Sequence, residues 1–317
     1  MRSVPVTIGV LIALILQGAS IRAENTGKLA IFHAGSLAVP FREVTAAFNK
    51  KYPNVTVNAE AGGSRDSARK ISDLGRPCDV FGSADYEVVE ELLMPKFADF
   101  NIRFATNELA IAYTNKSRFH DKINAKNWHE ILLRDDVAFG RADPNRDPCG
   151  YRTLMVFQLA EKQYRRPGLA EKLAKKDGDR FIRPKETDLL ALLESGEIDY
   201  LLIYRSVCVQ HKLNVVRLPD AVNLGSTKLA GIYKQAKVKI SGKSPGEFTN
   251  VIGAPIAYSV TIPKNAENRE MAEAWVALLL GPQGRRIMEK SGQSVIAPAK
   301  VDHPNKLPAS LKPFCTP

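Results

Sequence analysis

The turn Asp143-Pro144-Asn145-Arg146-Asp147-Pro148-Cys149-Gly150 places an acid where helices usually collect anions. Residues 137–140 before it read as a short strand, and residues 151–163 after it read as a helix. A loop running from a strand end into a helix start directs several unpaired N–H groups at one point, which is a ready anion site. Asp147 must therefore cap the helix, ionise late, or coordinate something. Two further loops have similar chemistry. Gly35-Ser36 and Gly62-Gly63-Ser64 each combine a residue that lets backbone approach a ligand with a hydroxyl that can donate to it. Singly, each loop could be an ordinary strand-to-helix turn, with Ser64 as a helix cap. Their recurrence in one chain points to a solute-binding cleft.

The elements that must carry these loops alternate between period 2 and period 3.6. A strand over residues 28–33 leads to a helix over 39–51 with Phe41, Val44 and Phe48 on one face. A strand over 55–59 leads to a helix over 64–74, and a strand over 79–84 to a helix over 86–93. Such alternation predicts an α/β fold with mainly parallel sheets and ligands at the carboxyl ends of the strands. Residues 104–114 form one long extended run that could cross between two lobes, after which the pattern restarts. Helices are expected over 128–133, 151–163, 187–194 and 205–211, and a strand over 198–204. A second extended run over 255–262 could return the chain, ahead of closing helices over 269–280 and 283–291. The expected division is a signal segment over residues 1–23, one lobe from 24–108 plus 255–317, and a second lobe from 109–254.

Length and composition agree with a globular chain. The 317 residues are 44% hydrophobic and 25% charged, ordinary for one large or two medium domains. Arg2, the apolar run from Val4 to Leu16 and the small residues up to Ala23 match a cleavable secretory signal. The run is short for a membrane span, which takes about 18 or more apolar residues. The alternative is an uncleaved anchor helix. No Cys follows the run, so a lipid anchor there is not expected, and the mature chain should be soluble outside the cytoplasm. Cys78, Cys149, Cys208 and Cys315 have no Cys-x-x-Cys spacing, which argues against structural zinc, and the sequence does not pair them. The net charge of +11 is scattered without interleaved aromatics, so nucleic acid is not an expected partner.

Four segments carry a resemblance to a known family: His33-Ala34-Gly35-Ser36-Leu37, the Asp143 to Arg152 turn, Arg183-Pro184-Lys185-Glu186-Thr187-Asp188-Leu189, and Ile203-Tyr204-Arg205-Ser206-Val207. Over residues 28–291 the chain resembles the tungstate/molybdate-binding proteins of ABC importers, in the branch best known from archaea. The segment Leu280-Gly281-Pro282-Gln283-Gly284-Arg285 also matches. The resemblance implies a two-lobed type II periplasmic-binding fold with two extended hinge strands, and a monomer that hands its oxyanion to an ABC permease. It also implies no resident cofactor. By the same resemblance, Gly35, Ser36 and Ser64 donate to oxyanion oxygens, and the Pro148-Cys149 turn adds backbone N–H from the Cys149 region, since Pro148 has none. Tyr204 donates its hydroxyl, and Asp147 and Glu186 supply carboxylates to the metal. The link over 164–181 is short for the family, which affects the rim of the lobe.

Two carboxylates beside a dianion need an offset. Each pair of unit charges about 4 Å apart costs roughly 4 kcal/mol at an effective dielectric near 20. Mo(VI) and W(VI) are large, electron-poor centres that can accept one oxygen from each of Asp147 and Glu186, expanding four-coordination to six. Sulfur in sulfate cannot do this, so the acids would reject it. A protonated acid that bonds an oxyanion oxygen is a weaker alternative. Rival readings are a sulfate or phosphate binder, and a ferric-ion binder using Asp147, Glu186, Tyr204 and His33. A further rival is an enzyme with Cys149 as nucleophile and His33 or His211 as base.

Overall fold

From Gly27 onward, strands deliver the chain to small-residue turns and helices carry it back. The computed structural model describes residues 26–317, so the expected signal segment lies outside the described residues. β1 (Gly27–Ala34) is buried along its second half and leads through a 3-10 turn at Gly35–Leu37 into α1 (Ala38–Lys51). Phe41, Val44 and Phe48 of α1 are buried, as the period required, and Lys50 and Lys51 complement the helix's negative end. β2 (Val55–Gly62), α2 (Ser64–Ser72), β3 (Val80–Ser83) and α3 (Tyr86–Leu92) repeat the unit.

The long extended run then divides. β4 (Asn101–Thr106) and β5 (Leu109–Tyr113) belong to different sheets, and Asn107-Glu108 is the crossing point. Next come α4 (Trp128–Leu132), β6 (Phe139–Ala142), α5 (Pro148–Gln163), α6 (Leu169–Lys175) and β7 (Ile182–Arg183). A 3-10 turn at Glu186–Leu189 opens α7 (Leu190–Ser195), followed by β8 (Tyr200–Tyr204), α8 (Arg205–His211) and β9 (Asn214–Arg217). After α9 (Ala230–Tyr233), β10 (Lys237–Ser241) and β11 (Phe248–Ile252) pair as an antiparallel hairpin. β12 (Ala257–Thr261) returns the chain to the first sheet, where α10 (Arg269–Leu280), α11 (Pro282–Lys290), β13 (Ser294–Asp302) and β14 (Cys315–Thr316) complete it.

The larger sheet has the order β14-β13-β4-β12-β3-β1-β2 and the smaller β7-β6-β8-β5-β9. The α/β class agrees with the sequence expectation, but the sheets are mixed rather than mainly parallel. β1 runs parallel to β2 and β3, and β6 parallel to β7 and β8. β12 opposes β3 and β4, and β5 opposes β8 and β9. The reason is the crossing itself: a strand arriving from the other sheet enters from the opposite end and must run against its new neighbours. β13 carries no strand signal because Pro298 interrupts it; the register shift between Val295 and Lys300 absorbs that residue.

Candidate functional site

The loops singled out from the sequence meet between the two sheets. Ser36 is fully buried in the turn after β1, and its Oγ lies 2.8 Å from the Tyr258 hydroxyl on β12. The Ser36 carbonyl accepts from Gln210 Nε2 on α8 and from Gln293 Nε2, each at 3.1 Å. Ser64 is the first residue of α2, not its cap. Gly63 takes the cap position and supplies no side chain. Ser64 Oγ instead accepts the Ala84 N–H at 3.0 Å, tying α2 to the end of β3. Tyr204 ends β8, and its hydroxyl accepts from Arg152 Nη1 at 2.8 Å. An amide N–H and a guanidinium can only donate, so Ser64 and Tyr204 both accept there and keep their own protons uncommitted.

Asp147 satisfies the first of the roles open to it. It is the N-cap of α5, with Oδ1 accepting the Cys149 N–H at 2.8 Å and Pro148 in the first turn. Its Oδ2 accepts the Glu186 N–H at 3.2 Å. Asp147 also ionises late. Burial pushes its carboxyl well above the usual aspartate range, and the neighbouring Glu186 carboxyl adds to that. Glu186 is 1% exposed, and neither of its oxygens receives a hydrogen bond from a fixed donor among the described residues.

Tight backbone packing encloses the pair. A Cβ on Gly35 would stand 2.7 Å from Thr187 Oγ1 and 3.2 Å from Glu186 Oε1, so the first loop approaches Glu186 only as glycine. A Cβ on Gly63 would stand 2.4 Å from the Arg146 carbonyl oxygen and 2.9 Å from that of Pro184. Asp66 N–H donates to the Arg146 carbonyl at 3.3 Å, and the Arg146 guanidinium pairs with Asp66 at 2.6 Å. The α2 end of one sheet therefore closes directly onto the Asp147 turn of the other.

Gly35, Ser36, Ser64, Tyr204, Asp147 and Glu186 are thus gathered in one buried region. The Pro148-Cys149 turn is adjacent but contributes differently from expectation. Pro148 has no N–H, and the Cys149 N–H is donated to Asp147. Burial and the two nearby carboxyls push the Cys149 thiol up. His33 stands apart, with Nδ1 2.8 Å from the Ala34 carbonyl and its ring edge-on to Phe41. Among the described residues, no group of three or more His, Cys, Asp or Glu side chains is placed to hold a metal ion.

The sequence reading missed a second layer behind these residues. Arg152 on α5 is buried; Nη2 pairs with Asp85 at 2.8 Å, and Nη1 donates to the Ala84 carbonyl at 2.6 Å as well as to Tyr204. Tyr151 donates to the same Asp85 carboxylate. Arg152 on a buried helix face was the only available clue, because its partners are 52 or more residues away. Tyr258 and Asn107 also went unremarked. Tyr258 packs against Tyr204 with ring centroids 5.7 Å apart, and Asn107 Nδ2 donates to its hydroxyl at 3.0 Å.

A sequence-family profile described as "Bacterial extracellular solute-binding protein" matches residues 29–293, nearly the stretch over which the resemblance was read. The chain belongs to the bacterial extracellular solute-binding proteins. Among its relatives in this family is the molybdate/tungstate-binding protein WtpA of Pyrococcus abyssi (strain GE5 / Orsay), 41% identical over 301 residues and covering 87% of this chain and 86% of that one. An uncharacterized solute-binding protein of Petrotoga mobilis is 50% identical over 300 residues, 94% of each chain. The fold resembles that of the periplasmic molybdate-binding protein of Azotobacter vinelandii, with a TM-score of 0.62 and 18% identity over 84% of this chain and 99% of that one. It also resembles the sulfate-binding protein SubI of Mycobacterium tuberculosis, at a TM-score of 0.59 and 13% identity over 91% and 90%. Fold alone therefore does not choose the solute of this solute-binding protein.

Proposed function

We propose that this protein captures molybdate or tungstate outside the cytoplasm and delivers it to a membrane ABC permease. The observation that carries the reading is the pair of buried carboxyls, Asp147 and Glu186, set against hydroxyls whose protons are uncommitted. An oxyanion supplies acceptor oxygens to Ser36, Ser64 and Tyr204, while its metal centre supplies what the carboxylates lack. One oxygen each from Asp147 and Glu186 completes six-coordination at the metal. Sulfate offers no such coordination, so the repulsion from the two carboxylates, of the order of 4 kcal/mol per charge pair at about 4 Å, has no offset at its centre. The sequence relationship to a molybdate/tungstate-binding protein supports the same choice.

The rival solutes fit less well. A ferric site needs tyrosinate, yet burial pushes the Tyr204 phenol well above its ordinary range while its oxygen is already taken by Arg152. An enzyme needs a thiolate at Cys149, and burial beside two carboxyls opposes one. The reading also includes export through a cleaved signal over residues 1–23, lobes divided at 108/109 and 254/255, action as a monomer, and no resident cofactor.

Isothermal titration with molybdate, tungstate and sulfate tests the solute, and metal-edge X-ray absorption tests the coordination. The bound ion should be six-coordinate, fall below six in D147A or E186A, and be four-coordinate when both acids are removed. Tight sulfate binding with none for the group-6 ions overturns the function; an unchanged spectrum in both variants overturns the ligand role.

A further inference from the structure

Asn107 lies at the crossing between β4 and β5 and touches the site only through another side chain. Its amide orientation is fixed by its neighbours. Oδ1 accepts the Glu108 N–H at 3.0 Å and the Ser206 N–H at 3.4 Å, so the other atom is Nδ2, a donor only. Nδ2 donates to the Ser206 hydroxyl at 2.8 Å and to the Tyr258 hydroxyl at 3.0 Å. Tyr258 is fully buried, and its remaining polar contact is Ser36 Oγ at 2.8 Å. With the phenol oxygen already accepting from Asn107, the arrangement that wastes no buried proton has Tyr258 donate to Ser36. Ser36 then accepts from behind, and its own proton is left to point forward.

We infer that Asn107 and Tyr258 form a hydrogen-bond relay, anchored at the strands that cross between the sheets, which sets Ser36 as a donor to the bound oxyanion. Asn107 is a positioning residue in this scheme: it touches no ligand and acts through Tyr258. The relay gives Ser36 the polarity that Ala84 N–H gives Ser64 and Arg152 gives Tyr204, so all three hydroxyls present protons to an acceptor-only ligand face. The inference rests on the proposed oxyanion function for its ligand but not on the choice of ion.

Asn107→Asp is the informative change because it reverses the relay without changing shape. Its Oδ1 keeps both backbone donors, and its second oxygen accepts from the Ser206 and Tyr258 hydroxyls, so the fold tolerates it. Tyr258 then points its proton at residue 107, and Ser36 must donate backwards to Tyr258. Losing one hydrogen bond to an anion corresponds to roughly a 10- to 100-fold rise in Kd. The added charge also weakens binding, so titrations are run as a cycle with Ser36→Ala, using whichever of molybdate, tungstate or sulfate the wild type binds most tightly. N107D should weaken binding by about tenfold more in the Ser36 background than in S36A. An equal N107D effect with and without the Ser36 hydroxyl, or no effect at all, overturns the relay. Sulfate preference in the wild type overturns the proposed solute while leaving the cycle intact, and a wild type that binds no oxyanion overturns both.

Discussion

Glu186→Gln should make the empty protein more stable and the loaded protein less so. Glu186 is 1% exposed, receives no hydrogen bond at either oxygen from a fixed donor among the described residues, and faces another buried acid. A buried, unsatisfied polar or charged group costs about 1–3 kcal/mol or more. Glutamine has the same length, carries no charge, and brings an Nε2–H that can donate to Asp147. The ligand-free variant should therefore gain about 1–3 kcal/mol. For a domain of this general size that is roughly 2–10 °C in melting midpoint. Binding should move the other way. Even groups that only support metal ligands cost about 10- to 100-fold in affinity, so removing a direct ligand should cost at least ~100-fold. That is about 2.7 kcal/mol, subtracted from the stabilisation a given oxyanion concentration provides. Differential scanning calorimetry with and without molybdate and tungstate reads both effects in one experiment. A lower ligand-free midpoint together with an undiminished ligand shift would refute the reasoning, because Glu186 would then be a structural residue.

Two further outcomes follow from the same geometry. Gly63→Ala is allowed by the local backbone, since Gly63 has an ordinary φ of −60°, but its Cβ would press on the Arg146 and Pro184 carbonyl oxygens and force the α2 end away from the Asp147 turn. Oxyanion affinity should fall by tenfold or more, on the order of 1.4 kcal/mol, and small-angle scattering should lose any ligand-induced compaction. The second outcome concerns protons. Asp147 titrates well above an unfolded aspartate, so the ligand-free protein should lose stability as pH rises from about 4 toward that raised value. Over the same window, oxyanion binding should strengthen and release a proton, measurable by titration in buffers of different ionisation heat. Asp147→Asn should abolish both dependences, and persistence of either in that variant would assign it to another group, Glu87 being raised to about 7.

The sequence alone determined the periodic elements and the loops that end them. Helical spacing in α1 and the Asp-Pro-Cys-Gly turn before α5 are local patterns, and local backbone sterics and capping fix them. The extended run over 104–114 was legible as a crossing because its apolar residues match no single turn-bounded strand. Ser64 was misread as a cap because a Ser one residue into a helix has the same local pattern as one at its start. Only its distant partner, the Ala84 N–H, distinguishes them. The acid in the anion cradle was visible as a contradiction, and its resolution was not. That Asp147 titrates high beside Glu186 and is closed over by Gly63 depends on residues 39 or more positions away. The same holds for Arg152 behind Tyr204 and Asn107 behind Tyr258. Hydrogen-bond polarity in a buried site is set by which fixed donor packs behind each hydroxyl, and packing between two sheets decides that.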